Sequence, residues 1–320
     1  MMNLTLEQIY RAQHRLRGLV HRTPTIHSKT LSAHLGAPTY LKLECLQKTG
    51  SFKPRGAFNR MLEMSADERK RGVVAVSGGN HAQGVAYAAA ELGIDAAICM
   101  PATTPRNYLD ATRGYGADIV LCPDIRAAFA ETARLEAEGR VLVHPFDDLH
   151  VAAGQGTVGL EILEDVPSVT RAYVSIGGGG FIAGVATAIR SIKPDVKIVG
   201  VETRGADAMA HSLAAGTLVE LPAITSIART LGAPKVSEFT YRVVRELVEE
   251  VVVVDDANAA RALFFLLERT KILAEPASSC CLAAAESQRG RFTKDDSIVL
   301  VLCGGNVSTE DLAGYHGRFA

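Results

Sequence analysis

The sequence has no excess of basic residues. Its 34 Lys and Arg stand against 35 Asp and Glu in 320 residues, a formal charge of −1, which argues against a nucleic-acid partner. Long apolar runs are missing too. Stretches such as residues 297–303 are strand-sized, far short of the roughly 20 residues that span a bilayer, so no membrane partner is expected. The N-terminal MMNLTLEQIYRAQHRLRG has amphipathic helical spacing through Leu6, Ile9 and Leu16, and it lacks the apolar centre of a secretory signal. The six cysteines form no metal-type C-x-x-C pair, which points to reduced thiols and a cytoplasmic location. Cys280 and Cys281 sit in an alanine-rich run that suits packing. There is no internal repeat, low-complexity tract or long linker.

What is present is a chain that is 48% hydrophobic and long enough for a large core in two lobes. It is organised around residues 172–202. A β-rich run, 172–176, ends in Gly177, Gly178, Gly179 and Gly180; helical spacing follows over 181–191, then Pro194 and a second β-rich run, 196–201. This is a strand–turn–helix–strand unit of a parallel sheet. Four glycines let backbone N–H groups close around an anion, and the helix beginning beside them adds its positive end, so we read a phosphate cradle. Two cofactor classes fit it. Gly178, Gly180 and Ala183 match a relaxed dinucleotide fingerprint with Glu202 as the ribose acid, while a monophosphate such as pyridoxal phosphate needs only the cradle. A glycine turn without a ligand is the plain alternative.

Along the chain, 39–44 alternates like a strand and leads into QKTGSFKPRGA, with helical spacing through Met64. Ser51 reads as the N-cap and Pro54 as a first-turn residue, which puts Lys53 near a helix N-terminus where a cation is disfavoured. Lys53 is either a surface lysine or an amine held neutral or as an imine, its pKa lowered from about 10.4. Strands are expected at 73–77, 96–100, 118–122 and 141–143, with helices at 82–92, 107–115 and 126–138. Asn80 falls where a strand end meets a helix, the ligand position of open α/β sheets, with capping as its plain alternative; His81 reads as a turn residue rather than a base. Gly154, Gln155, Gly156 and Thr157 read as a turn opening a helix, and 204–237 as irregular. Further strands at 251–254 and 298–302, and helices at 257–270 and 280–287, complete an α/β chain.

Six segments in order, SFKPRGA (51–57), SGGNHAQG (77–84), GQGT (154–157), GGGG (177–180), EPA (275–277) and CGGN (303–306), resemble the fold-type II pyridoxal-phosphate enzymes, the threonine/serine dehydratase and serine racemase group. The resemblance implies two open parallel-sheet lobes with helices on both faces, tryptophan synthase β-like. Residues 1–52 plus 147–320 would form the large cofactor domain, with 53–146 a small inserted domain, in a homodimer. It implies Lys53 as the Schiff-base lysine that later moves the α-proton, and Phe52 beside the cofactor ring. Asn80 would bond the ring 3-hydroxyl, and Ser77, Gly78, Gly79, Asn80 and His81 would receive the substrate carboxylate. Gly177, Gly178, Gly179, Gly180 and the N–H of Phe181 would hold the phosphate, with Cys303 at the pyridine nitrogen and Glu275 near the ring.

The implied activity is dehydration and deamination of a β-hydroxy-α-amino acid, L-threonine or L-serine, to a 2-oxo acid and ammonia. The alternatives are a serine or aspartate racemase, a dehydratase of a bulkier substrate such as 3-phenylserine or 3-hydroxyaspartate, and, from another class, an NAD-dependent oxidoreductase. Racemases of this group carry a second serine where this chain has Gly78, which favours the lyase. The group's cation site pairs a Glu, a carbonyl and an Asp; Glu202 and Ala206 match, but the third position is Ala208, so a divalent or monovalent cation is not counted on. Ala228-Arg229-Thr230 replaces the group's Ala-Asp-Gly, so Arg229 either alters the substrate or lies exposed. No regulatory domain is expected after Asn306.

Overall fold

Alternation of β-branched runs with helical spacing builds two open sheets in the computed structural model, which describes residues 3–319. In chain order, β1 (Thr25–His27) and β2 (Thr39–Leu43) come first. β3 (Val73–Val76), β4 (Ala96–Pro101), β5 (Asp118–Cys122) and β6 (Val141–Leu142) follow, and β7 (Arg171–Ser175), β8 (Lys197–Thr203), β9 (Glu250–Val254) and β10 (Ile298–Leu302) close the set. The larger sheet has the order β1-β2-β10-β7-β8-β9 and the smaller β5-β4-β3-β6. All pairings are parallel except β1 with β2. Strand β10 reads IVLVL and is buried throughout, as a strand covered on both faces must be. The carboxyl ends of β3, β4, β7 and β10 lead into residues 77–80, 101–105, 176–180 and 303–306.

The helix Leu149–Asp165 joins the two halves. Val151 belongs to the core around the small sheet, while Val158 and Ile162 belong to the core around the large one. Residues 154–157 do not form the expected turn: the helix runs straight through them. Their glycines serve close packing. A Cβ on Gly154 would lie 2.4 Å from Arg55 O in the helix Lys53–Leu62, and one on Gly184 would lie 2.2 Å from Ala152 O, within the helix Gly180–Ile192. Three helices therefore cross at backbone contact.

A buried ion network reinforces one of these crossings. Arg55, 1% exposed, forks onto Glu44 (Nε–Oε2 2.8 Å, Nη2–Oε1 2.8 Å) and onto Glu161 (Nη1–Oε1 2.6 Å, Nη2–Oε2 2.9 Å). Lys42 Nζ donates to Glu161 Oε2 at 2.5 Å and to Thr23 O at 2.7 Å. Burial works against the Glu44 charge, yet Arg55 and Lys42 hold its carboxyl below the usual range. Two cations balance two anions, and removing one member would strand the rest at a cost of about 3–5 kcal/mol.

Ser51 is not the N-cap of the helix Lys53–Leu62: Phe52 holds that position without a side-chain bond, and Ser51 instead pairs with Gly304. Pro54 does lie in the first turn, where its missing N–H is harmless. No helix among the described residues is long and apolar enough to cross a membrane.

The glycine crossing gives a paired expectation. Gly184→Ala forces a methyl into a backbone carbonyl and should destabilise by at least about 1–3 kcal/mol. Gly314→Ala, in the helix Thr309–Phe319 with nothing within 4 Å of the new Cβ, should be neutral or stabilising by up to ~1 kcal/mol. Urea midpoints of the two variants check both.

Candidate active site

The carboxyl ends of β3, β4, β7 and β10 open onto a cavity of about 770 Å³. Its lining brings together Phe52, Lys53, Ser77, Gly78, Gly79, Asn80, His81, the four glycines 177–180, Phe181, Glu275 and Cys303. Segments distant in sequence are stitched together at its floor. Phe52 N–H donates to Cys303 O (3.1 Å), Gly305 N–H to Gly50 O (2.9 Å), Glu275 N–H to Gly304 O (3.1 Å), and Asn306 Nδ2 to Thr49 O (2.7 Å). The approach to Lys53 is also tightly turned: Thr49 and Gly50 both adopt positive φ, 62° and 69°.

Lys53 opens its helix, and its Cβ lies where a side chain on Gly84 would come within 2.9 Å. Its Nζ donates to Pro145 O at 3.1 Å and lies 5.1 Å from the Phe52 ring centre. Burial pulls the amine down to about 8, against the opposing pull of Cys303 and Glu275. Phe52 stacks on Phe181, centres 4.0 Å apart, which links the lysine segment to the start of the helix Gly180–Ile192.

Asn80 does not cap its helix, Asn80–Leu92: Gly79 is the N-cap, without a side-chain bond. The Asn80 amide instead donates from Nδ2 to Glu275 Oε1 (2.8 Å) and accepts at Oδ1 from Asn306 Nδ2 (2.8 Å). Thr230 Oγ1 donates to the same Glu275 oxygen at 3.0 Å, and Glu275 Oε2 has no side-chain partner among the described residues. Burial raises this carboxyl to about 7. His81 is neutral, because burial and the Lys53 charge push its pKa well down, and its Nε2 lies 2.8 Å from Val143 O. Burial and the Glu275 charge keep Cys303 a neutral thiol, 3.2 Å from Ser278 Oγ. Ser77 Oγ accepts from the Gly79 N–H at 3.0 Å.

The glycine loop is shaped from outside. A Cβ on Gly178 would overlap the Phe146 ring at 2.1 Å, and Gly179 has φ 93°, so neither position tolerates a side chain. The N–H groups of Gly177, Gly178 and Gly179 donate to no acceptor among the described residues, and those of Gly180 and Phe181 begin the helix, beyond reach of an upstream carbonyl. Such a row of free amides at a helix start could hold a phosphate.

Glu202 and Ala206 lie apart from the cavity. Glu202 turns its oxygens to Met209 N–H (3.0 Å) and Ala210 N–H (2.8 Å) at the start of the helix Ala208–Ala215, and burial raises it to about 8. Among the described residues no three His, Cys, Asp or Glu side chains converge to hold a metal. Arg229 lies at the cavity rim with its side chain 59% exposed, 3.3 Å from Asp311. Pro145 and Phe146 line the site without having been singled out, and Thr230 and Asn306 were named only within their motifs with no role, since nothing in their spacing marks contacts made across the fold.

Residues 16–304 match the profile of the family described as pyridoxal-phosphate dependent enzyme. This chain belongs to that family. It is 44% identical to an L-threonine ammonia-lyase of Thermotoga maritima over 306 residues, 95% of this chain and 76% of that protein. Among solved structures it resembles maize serine racemase (37% identity, TM-score 0.92, covering 99% of this chain and 98% of that one). It also resembles the threonine deaminase of T.th. (37% identity, TM-score 0.90, covering 95% and 99%). The residues of this family member fit pyridoxal phosphate: a buried amine of lowered pKa, a cradle of free amides, and a neutral thiol stand around one cavity.

The Lys53 amine makes stability depend on pH. Its folded pKa, about 8, is below the ordinary 10.5, so between those values the unfolded chain binds the extra proton and stability rises with pH. Relative to Lys53→Met, the cofactor-free protein should gain on the order of 3 kcal/mol between pH 8 and 10.5. Denaturant titrations of both proteins across that range check it; parallel pH profiles would contradict it.

Proposed function

We propose that this pyridoxal-phosphate-dependent enzyme is an ammonia-lyase acting on a β-hydroxy-α-amino acid, L-threonine or L-serine first, with a 2-oxo acid and ammonia as products. The observation that carries the reading is Lys53, a buried amine with a pKa of about 8 at the wall of the cavity that contains the glycine cradle. The Thermotoga relative, whose name is L-threonine ammonia-lyase, supports the substrate class.

When bound, pyridoxal phosphate supplies the electron sink that weakens the α-C–H bond and then the bond to the β-hydroxyl. The protein directs that chemistry. Lys53 Nζ would hold the cofactor through its aldehyde, and as a free amine it would serve as the base for the α-proton. At pH 7.5 about a quarter of such an amine is unprotonated, against roughly one in a thousand for an ordinary lysine. The N–H groups of Gly177, Gly178, Gly179, Gly180 and Phe181 would hold the phosphate, and Phe52 and Asn80 would position the ring. Glu275 holds the Asn80 amide and the Thr230 hydroxyl on one oxygen and so fixes the orientation of Asn80. Cys303, kept neutral, would put no fixed charge against the cofactor's ring nitrogen, an environment suited to expulsion of the β-group. The Ser77, Gly78 and Gly79 loop, with Asn80 and His81, receives the substrate carboxylate at a helix N-terminus. The proposal also divides the chain into a large domain, 1–52 with 147–320, and a small one, 53–146, supported by the smaller sheet's confinement to 73–142.

The maize serine racemase likeness supports a second reading, racemisation of serine. Against it, residue 78 is glycine and offers no side chain as a second base. Product analysis separates the two: 2-oxobutanoate from L-threonine supports the lyase, whereas D-serine from L-serine without pyruvate would overturn it. Lys53→Ala should lower kcat by at least ~10³-fold while leaving the circular dichroism spectrum unchanged. Elimination by that variant near the wild-type rate would contradict the role of Lys53.

A further inference from the structure

Thr104 closes the turn that follows β4. Its N–H donates to Pro101 O at 2.9 Å, and Pro105 then starts the helix Arg106–Gly114. This turn sets the Thr104 side chain against residue 78. A Cβ built on Gly78 would lie 2.8 Å from Thr104 Oγ1, and the next neighbour, Pro101 Cδ, is 3.6 Å away. Thr104 is 8% exposed and lines the cavity, yet Oγ1 has no hydrogen-bond partner among the described residues.

A buried hydroxyl left unpaired costs free energy, and one that faces a cavity can be completed by a ligand. Two other hydroxyls that line the cavity are paired, Thr230 with Glu275 and Ser226 with Thr203 and Asp256. Thr49, Ser51 and Thr112 also have unpartnered hydroxyls, but they do not line the cavity. Beside Thr104 lies the N-terminus of the 13-residue helix Asn80–Leu92, where the N–H groups of Gly78, Asn80 and His81 donate to no acceptor among the described residues. Free amides at the positive end of a helix attract an anion, and a hydroxyl with no acceptor offers one more donor to it.

We propose that Thr104 Oγ–H donates to the α-carboxylate of the amino-acid substrate, together with the free amides of residues 78 and 80, and is a substrate-binding residue of this site. The inference rests on the reading of the cavity as a pyridoxal-phosphate amino-acid site. It also gives Gly78 a role: any side chain there would enter the space of the Thr104 hydroxyl.

The test uses the holoenzyme and α-methyl-L-serine, which has no α-hydrogen to lose, with binding followed by the shift of the cofactor absorbance. α-Methyl-L-serinamide, which lacks the carboxylate, is the control ligand. Thr104→Val keeps the shape and removes the hydroxyl, so it should weaken binding of the acid by on the order of 10-fold and leave the amide unchanged. Thr104→Ser should restore the acid to within about threefold of wild type. Unchanged affinity of Thr104→Val for the acid would overturn the proposal, and so would equal losses for acid and amide, which would mean that Thr104 only shapes the loop. A wild-type protein with no cofactor absorbance would defeat the functional reading itself, and this inference with it.

Discussion

At the crossing of Gly184 with Ala152, two helices touch through their backbones, with no side chain between them. The same helix, Leu149–Asp165, meets the helix Lys53–Leu62 through Gly154 and Arg55. One helix therefore sets the spacing between the amine of Lys53 and the glycine loop that begins the helix Gly180–Ile192. Backbone contacts adjust far less than side chains, since an interior at native density yields little to an added methyl. The Arg55 network adds direction to this spacing. Its bidentate forks onto Glu44 and Glu161 orient the first turn of the lysine helix from both sides.

The cavity bounded by these elements disfavours fixed charge. Burial lowers the Lys53 amine, raises the Glu275 carboxyl, keeps the Cys303 thiol protonated and keeps His81 neutral. What remains positive is backbone: two helix starts, Gly180–Ile192 and Asn80–Leu92, each with unpaired amides. On the reading proposed above, a substrate amino acid and a phosphorylated cofactor bring two anionic groups, one for each helix start. On that reading, an amine of lowered pKa serves as the base near neutral pH, while backbone amides rather than further lysine or arginine side chains hold the ligands' anions.

Much of this was legible in the sequence, because the signals were local. Strands 118–122 and 298–302 match their observed bounds, and the glycine run, the lysine segment and the Asn80 turn all meet in one cavity. Other features depended on contacts that the sequence does not display. Gly154 and Gly156 were read as a turn because glycine permits one, but here they admit a neighbouring backbone into a helix. Ser51 had the composition of a cap, yet its backbone pairs with Gly304 across 253 positions of chain. Three short helices, Lys29–Leu35, Ala66–Arg71 and Glu238–Leu247, went unread although Ser28, Ser65 and Ser237 cap them, because so few turns carry weak periodicity. Lys53 was placed correctly at a helix start, but it is burial that lowers its pKa.

The account stands on a covalent link between Lys53 and pyridoxal phosphate. Borohydride reduction of the purified holoenzyme, followed by peptide mapping by mass spectrometry, tests it directly. The expected result is one modified peptide, with the reduced cofactor on Lys53 and loss of the visible absorbance. Cofactor attached to another lysine, or an unmodified Lys53 in protein loaded with pyridoxal phosphate, would contradict it.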